Sequence, residues 1–104
     1  SVFDIIYTPT QGGNHYCIIS DLIGNSMVRC FPITTASNHQ LEMLGCQSVA
    51  ISSKLRLASN FILLDIERAK CRYINDKALS KLVETYIKEQ GTPTFMENNI
   101  YSLN

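Results

Sequence analysis

The side chain best suited to acid–base chemistry is His15, which follows Asn14 at the end of a glycine-rich loop in the stretch TPTQGGNHYCIIS. Imidazole titrates near neutral pH and is the commonest general acid or base in enzymes. A flexible polar turn beside a rigid strand is typical of an active-site loop, but it also fits an ordinary hairpin with a solvated histidine. The sequence leaves both interpretations open. His39 falls in the first turn of a short predicted helix, where a polar residue needs no functional explanation.

A second polar stretch, ITTAS, places three hydroxyl groups at the end of a predicted strand. Ser37 with Gln40 three residues later fits a capping box, so Ser37 is best explained as a helix cap. Thr34 and Thr35 remain available to hydrogen-bond a phosphate oxygen. No nucleophile, nucleotide-binding or paired-carboxylate motif surrounds them, so acyl transfer is not supported.

The basic side chains in the middle of the chain form two small groups, which are Lys54 with Arg56, and Arg68 with Lys70 and Arg72. In an extended segment, alternation would place the second group on one face. That face could bind phosphates, but it is more often the solvated side of a half-buried strand. Nine basic and nine acidic residues cancel, so only a local patch could bind nucleic acid.

The cysteine and histidine content argues against a metal centre. The two histidines have no carboxylate cluster nearby, and the four cysteines (Cys17, Cys30, Cys46 and Cys71) contain no C-x-x-C pair. We therefore expect no metal and no cofactor. Three of the cysteines lie in apolar segments, which predicts reduced and at least partly buried thiols in a cytoplasmic protein.

No apolar run approaches the ~20 residues of a membrane span, and no signal-peptide pattern is present, so we expect no membrane association.

The hydrophobic pattern predicts the elements that must position these side chains. Strands are predicted over residues 2–7, 16–20, 27–33 and 47–52, and over 60–66 continuing toward 70–74. A short helix is predicted over residues 38–44, and Lys54 with Arg56 falls in a connection between strands. The clearest helix begins at Asn75 or Asp76 and ends at Gly91, because Leu79, Leu82, Val83, Tyr86 and Ile87 form one apolar stripe.

These elements predict a single, mostly β domain over residues 1–91, followed by a loosely attached tail over residues 92–104. Neighbouring strands with one packing helix are typical of a small, mostly antiparallel barrel of the SH3-like or OB-like kind, with a C-terminal α-helix.

The order of these pieces resembles the MazF/Kid (PemK) toxins of bacterial toxin–antitoxin systems, over about residues 2 to 90. The resemblance rests on four stretches: FDIIYTPTQGG, NHYCIIS, CFPITTAS and SNFILLDIER. The stretch CFPITTAS looks like the end of the family's third strand, which has the pattern Pro-x-Thr-Thr/Ser. The fourth is similar to its Ser-x-x-x-x-Asp-Gln-x-Arg strand, with Asp65 and Arg68 at matching positions and Ile66 in place of Gln. The family's Arg-Pro falls on Asn14 and His15, neither of which replaces a permanent guanidinium charge.

The resemblance implies an antiparallel barrel of the CcdB/Kid/MazF toxin type and a metal-independent endoribonuclease acting on single-stranded RNA. In that reaction the 2′-hydroxyl would attack the adjacent phosphate, with His15 as acid or base. Thr34 or Thr35 would hold a phosphate oxygen, and Arg68 would offset the charge. Residues with a substrate-binding role would be Asn14, Lys54, Arg56, Asp65 and Lys70.

The resemblance also implies a cognate antitoxin as partner and a symmetric homodimer. One alternative is a non-catalytic toxin resembling CcdB, which inhibits DNA gyrase by binding. Loss of the Arg-Pro cation favours this alternative, whereas the absence of Trp counts against it, since CcdB-like toxins use a Trp near the C-terminus. A further alternative is a small barrel that mediates protein contacts alone.

Overall fold

The computed structural model describes residues 1–97, which form seven strands and three helices. The strands are β1 (Ile5–Thr10), β2 (Gly13–Leu22), β3 (Met27–Thr34), β4 (Ser48–Ala50), β5 (Arg56–Ala58), β6 (Ile62–Asp65) and β7 (Arg72–Ile74). The helices are α1 (Asn38–Met43), which follows β3, and then α2 (Lys77–Gln90) and α3 (Thr94–Glu97), which follow the last strand.

Strand β3 is the centre of the sheet. One of its edges pairs with β2, and the other pairs with β6 over residues 27–30 and with β5 at Ile33 and Thr34. Pro32 lies between these two partners, where a strand residue without an N–H does least harm. The paired path β4-β5-β3-β2-β1-β7 does not close within residues 1–97. The mostly antiparallel β fold with a C-terminal helix is therefore confirmed, while closure into a barrel is not.

The segment between residues 47 and 74 differs from the sequence prediction. Arg56 lies on the three-residue strand β5 rather than in a connection. The extended segment predicted from residue 60 toward 74 is wrong, because a turn at residues 66–68 separates β6 from β7. The Asp65 carboxylate accepts the Glu67 N–H at 3.1 Å, and the Asp65 carbonyl oxygen accepts the Arg68 N–H at 3.1 Å. These bonds bend the chain immediately after β6.

The central strands bury side chains on both faces of the sheet. One face contributes Ile5, Ile18, Phe31 and Ile33 to a core that includes Val83 of α2. The opposite face contributes Ile6, Cys17, Ile19, Val28 and Cys30, against which the β6 side chains pack. Burial on both faces explains why these strands are nearly continuous apolar runs in the sequence.

Both predicted helix caps are present. The Ser37 hydroxyl accepts the Gln40 N–H at 3.1 Å and the Gln40 side chain accepts the Ser37 N–H at 2.8 Å, which completes the capping box of α1. The Asp76 carboxylate accepts the Leu79 N–H at 2.9 Å and so caps α2. The chain leaves α2 at Gly91, whose positive φ of 84° suits a residue without a side chain.

A buried cation joins the sheet to the C-terminal segment. Arg29 on β3 is 1% exposed, and its Nε and Nη2 atoms each lie 2.6 Å from Oδ2 of Asp21 on β2. Its Nη2 also donates to the Met96 carbonyl oxygen at 2.7 Å. The guanidinium carbon lies 5.1 Å and 5.5 Å from the ring centroids of Phe31 and Phe61. Its charge is thus balanced by a carboxylate, a carbonyl oxygen and two aromatic rings.

A β-bulge brings Asp21 to this cation. The register of β2 against β3 shifts by one residue between Ile19 and Asp21, so that Asp21 lies opposite Arg29. Side chains alternate between the faces of a strand, and without the bulge Asp21 would lie on the face opposite to Arg29. The single extra residue is therefore what makes the ion pair possible.

The first residues of the predicted tail are packed against the sheet. Pro93 and Met96 are buried, and the Phe95 ring centroid lies 5.7 Å from that of Phe31. This packing differs from the loose attachment predicted for residues 92–104, because the buried Arg29 takes an acceptor from α3. Residues 98–104 lie outside the described residues.

Replacing Arg29 by methionine should lower the free energy of unfolding by about 3 kcal/mol, because the Asp21 carboxylate would stay partly buried without its cation. Urea unfolding followed by circular dichroism at pH 7 measures this loss. Adding Asp21→Asn should restore part of it. Arg68→Met is a matched control, since the Arg68 side chain is 89% exposed and its loss should leave the urea midpoint unchanged. An Arg29→Met chain as stable as wild type would contradict the structural role of the ion pair.

The four cysteines are free thiols that differ in exposure. Cys17, Cys30 and Cys46 are buried and Cys71 is partly exposed, so the predicted burial is confirmed. A hydrogen bond with Cys30, together with burial, raises the pKa of the Cys17 thiol. Burial also keeps a reagent away from the sulfur atoms of Cys17, Cys30 and Cys46, so these three thiols react slowly in the folded chain.

In the native protein, Ellman's reagent at pH 8 should therefore react rapidly with one thiol per chain, that of Cys71. The other three should react only after unfolding in urea. Cys71→Ser should remove the rapid phase and leave the slow phase unchanged. Rapid reaction of two or more thiols in the folded chain would be inconsistent with the core described above.

Candidate functional site

Four residues predicted from two separate sequence stretches line one cleft of ≈ 560 Å³. These residues are Asn14 and His15 from the start of β2, Thr34 at the end of β3 and Thr35 directly after it. The sheet register brings them together, because Tyr16 pairs with Ile33 and the preceding residue of β2 then lies beside the following residue of β3. The remaining lining residues are Tyr7, Tyr16, Ile33, Leu55, Asp76 and Leu79.

The glycine-rich loop is both a tight hairpin turn and one rim of this cleft. Thr10 closes the turn, since its hydroxyl donates to the Gly13 carbonyl oxygen at 2.6 Å and accepts the Gly12 N–H at 3.2 Å. Gly13 has a φ of 107°, which a residue with a side chain rarely adopts. The turn thus fixes the start of β2, where Asn14 and His15 enter the cleft.

His15 lies on the boundary between two depressions of the surface. Together with Thr34 it lines the cleft described above and also a neighbouring one of ≈ 680 Å³, whose further lining includes Leu41 and Leu44. His15 is partly exposed. His15 therefore borders both depressions.

The two threonine hydroxyls differ in their surroundings. Thr34 Oγ1 accepts the Ala36 N–H at 3.0 Å, which leaves its own O–H free to donate. Thr35 is exposed and also lines an adjoining cleft of ≈ 480 Å³ that contains Lys54 and Arg56. Thr35 thus connects the His15 cleft to two cations. The Arg56 guanidinium is held in place, since its Nε donates to Ser48 Oγ at 2.8 Å.

Three other predicted site residues lie elsewhere. Arg68 is in the turn after β6, with its Nε 3.7 Å from the Asp65 carboxylate, and neither residue lines the His15 cleft. Lys70 lies between this turn and β7 and does not line the cleft either. The predicted basic stripe is wrong because residues 66–70 are not extended. Arg72 instead lies over the ring of Tyr7, with its guanidinium carbon 5.5 Å from the ring centroid.

Three residues of the cleft were missed by the sequence reasoning. The ring centroids of Tyr7 and Tyr16 lie 4.8 Å apart, and Tyr16 is 43% exposed. Asp76 lines the cleft while it caps α2, and it adds a negative charge to that side. The available signal for the tyrosines was the predicted hairpin, whose register places Tyr7 opposite Tyr16. Nothing local to Asp76 indicates that α2 begins beside this cleft.

Within residues 1–97, no three His, Cys, Asp or Glu side chains come together in a way that could hold a metal ion. None of the helices in the same range has the length and apolarity needed to cross a bilayer.

Comparisons with protein-family models, with curated proteins and with solved structures found no match to this chain.

Asp65 acts as a turn residue whose charge is stabilised locally. A hydrogen bond from the Ser26 side chain, followed by the backbone N–H groups of Glu67 and Arg68 and the Arg68 charge, holds the pKa of Asp65 below its ordinary value of 3.8. Since the pKa is lower in the folded chain, the ionised carboxylate stabilises the fold above the ordinary value. This contribution is lost as the pH falls through the folded-state pKa.

Ser26→Ala should accordingly raise the pKa of Asp65 toward 3.8, because it removes the leading hydrogen bond to the carboxylate. A carboxyl-detected NMR titration of the folded chain measures the change. Ser53→Ala, at an exposed serine on a different loop, is the control and should leave this pKa unchanged. An unaltered Asp65 titration in Ser26→Ala would contradict the assignment of Ser26 as the main donor.

Proposed function

We propose that this chain is the toxin of a toxin–antitoxin pair, acting in the cytoplasm as a metal-independent endoribonuclease on single-stranded RNA. The observation that carries the proposal is the meeting of Asn14, His15, Thr34 and Thr35 in one cleft, since these residues come from two of the stretches that resemble the MazF/Kid family. In this proposal the sheet is a variant of the CcdB/Kid/MazF-type barrel. Two copies pair as a symmetric dimer, and a cognate antitoxin binds the dimer.

His15 is the general acid or base of the proposed reaction. The RNA 2′-oxygen attacks the adjacent phosphorus, the bond from phosphorus to the 5′-oxygen breaks, and a 2′,3′-cyclic phosphate forms. His15 either takes the proton from the 2′-hydroxyl or gives one to the leaving 5′-oxygen, and water takes or gives the other proton. The hydroxyls of Thr34 and Thr35 can donate to the non-bridging phosphate oxygens, where negative charge develops.

Lys54 and Arg56 take the charge-neutralising role that the sequence assigned to Arg68. They line the cleft that shares Thr35 with the His15 cleft, so a phosphate held by Thr35 lies at the border of both. Asp76 lies on another side of the His15 cleft and repels phosphate there. This charge distribution favours an RNA backbone that runs past Thr35 toward Lys54 and Arg56.

A binding function without catalysis is the second candidate. It is favoured by one observation, namely that the described residues lining the His15 cleft include neither Lys nor Arg. A toxin that resembles CcdB needs no such cation, because it acts by binding DNA gyrase. The two candidates differ in whether the purified chain cuts RNA when divalent metals are chelated.

Incubation of the chain with single-stranded RNA in EDTA should yield fragments that end in 2′,3′-cyclic phosphate. His15→Ala should lower the single-turnover rate by about 10²-fold or more, the usual contribution of a positioned acid or base. His39→Ala is the matched control, because His39 is exposed on α1 and lines neither cleft that contains His15. It should cut at the wild-type rate.

Equal rates for wild type and His15→Ala, in chains shown to be folded by circular dichroism, would remove His15 from the reaction. Wild-type protein that leaves RNA intact in EDTA would contradict the ribonuclease proposal. Inhibition of purified DNA gyrase by the same protein would then support the second candidate.

A further inference from the structure

A row of paired residues crosses one face of the sheet and reaches solvent at Tyr16. Arg72 of β7 pairs with Tyr7 of β1, Tyr7 pairs with Tyr16 of β2, and Tyr16 pairs with Ile33 of β3. Ile33 is 5% exposed, whereas Tyr16 beside it is 43% exposed. The boundary of the hydrophobic core therefore runs between these two residues, and the open side is the His15 cleft that Tyr16 lines.

The Tyr16 ring is supported from one side by a second aromatic ring. The Tyr7 ring centroid is 4.8 Å away at an interplanar angle of 52°, and the Arg72 guanidinium carbon lies 5.5 Å from the Tyr7 ring. A ring that is already held by its neighbours loses little side-chain freedom when a ligand contacts it. Exposed aromatic rings beside cationic grooves are the usual stacking platforms for the bases of single-stranded nucleic acids.

The groups around Tyr16 match the parts of a nucleotide. Asn14, two residues earlier on the same strand face, lines the same cleft, and its amide both donates and accepts hydrogen bonds. Thr35 lines the cleft as well and borders Lys54 and Arg56, which suit a phosphate. The volume of ≈ 560 Å³ lies within the ~300–1,000 Å³ typical of small-ligand sites.

We propose that Tyr16 stacks on one base of a single-stranded RNA and that Asn14 contacts the hydrogen-bonding edge of that base. This inference rests on the proposed function, since it names the base-recognition site of the same cleft. The adjoining phosphate then lies near Thr35, at the rim of the cleft that His15 also lines.

The test measures binding separately from cleavage. A fluorescein-labelled RNA of mixed sequence with 2′-O-methyl groups throughout cannot be cut, because its 2′-oxygen cannot attack. Fluorescence anisotropy at low salt in EDTA gives its Kd for the full chain. Tyr16→Ala should raise this Kd roughly tenfold, which is within the range found for the loss of one base stack. Tyr16→Phe keeps the ring and should bind within about twofold of wild type.

Two controls separate stacking from general damage. Tyr73 is 54% exposed on β7 and pairs with Ile6, which places it on the face of the sheet opposite to Tyr16. Tyr73→Ala should therefore leave the Kd unchanged. Tyr16→Leu keeps an apolar side chain but has no π face, so it should fold like wild type and still lose about tenfold in affinity.

Cleavage of unmodified RNA by the same proteins distinguishes the failure of this inference from that of the proposed function. Cleavage by wild type with the same Kd for Tyr16→Leu and wild type would overturn the stacking site and leave the ribonuclease proposal standing. Tyr16-dependent binding without any cleavage would support the stacking site and overturn the ribonuclease proposal. No measurable binding of the labelled RNA to wild type would overturn the stacking site.

Discussion

The structure depends on the placement of one positive charge inside the domain. A guanidinium group stays charged at any pH that a protein tolerates, so the fold must supply acceptors wherever Arg29 is buried. The bulge in β2 turns Asp21 to the required face, and the Ser20 hydroxyl donates to the same carboxylate at 2.7 Å. The carbonyl oxygen of Met96 is a further acceptor and fixes α3 over the ring of Phe31. The Arg29 side chain in this way holds together β2 and α3, which are far apart in the sequence.

Strand β3 connects this buried charge to the cleft. Its first half pairs with β6 and carries Arg29, while its last residues pair with β5 and lead into Thr34 and Thr35. Because both of its faces are buried, a shift of β3 along its neighbours would expose core residues at one end and misplace the hydroxyls at the other. The chemistry of the cleft is therefore positioned by the best-packed strand of the sheet.

Structural features that depend on residues close together in the sequence were predicted correctly. Features that depend on pairing between distant segments were not. The stripe of α2 and the capping box at Ser37 are contained within a few turns of chain, and both were predicted. Strand β5 has three residues, too few for a periodic signal. The turn after Asp65 was missed because the apolar run before it reads as a longer strand.

The same contrast between local and long-range features applies to the residues of the candidate site. Asn14, His15, Thr34 and Thr35 follow strands with clear patterns, so the sequence located them and the register then brought them together. The alternation that would place Arg68 and Lys70 on one face requires an extended segment, and the turn at residues 66–68 prevents it. Tyr16 is exposed although Ile33, its partner on the same face, is buried, and this boundary depends on packing rather than on any motif.

The ends of the open sheet determine how copies of this chain can meet. The outermost strands β4 and β7 have three residues each, and β6, which pairs with β3 alone, has four. Short edges offer a neighbouring chain few unpaired N–H and C=O groups, so they are poor templates for continuing the sheet into a second molecule. Strand addition, the usual route from an open sheet to fibres, is accordingly disfavoured by the architecture itself, and contacts through faces or helices are favoured over it.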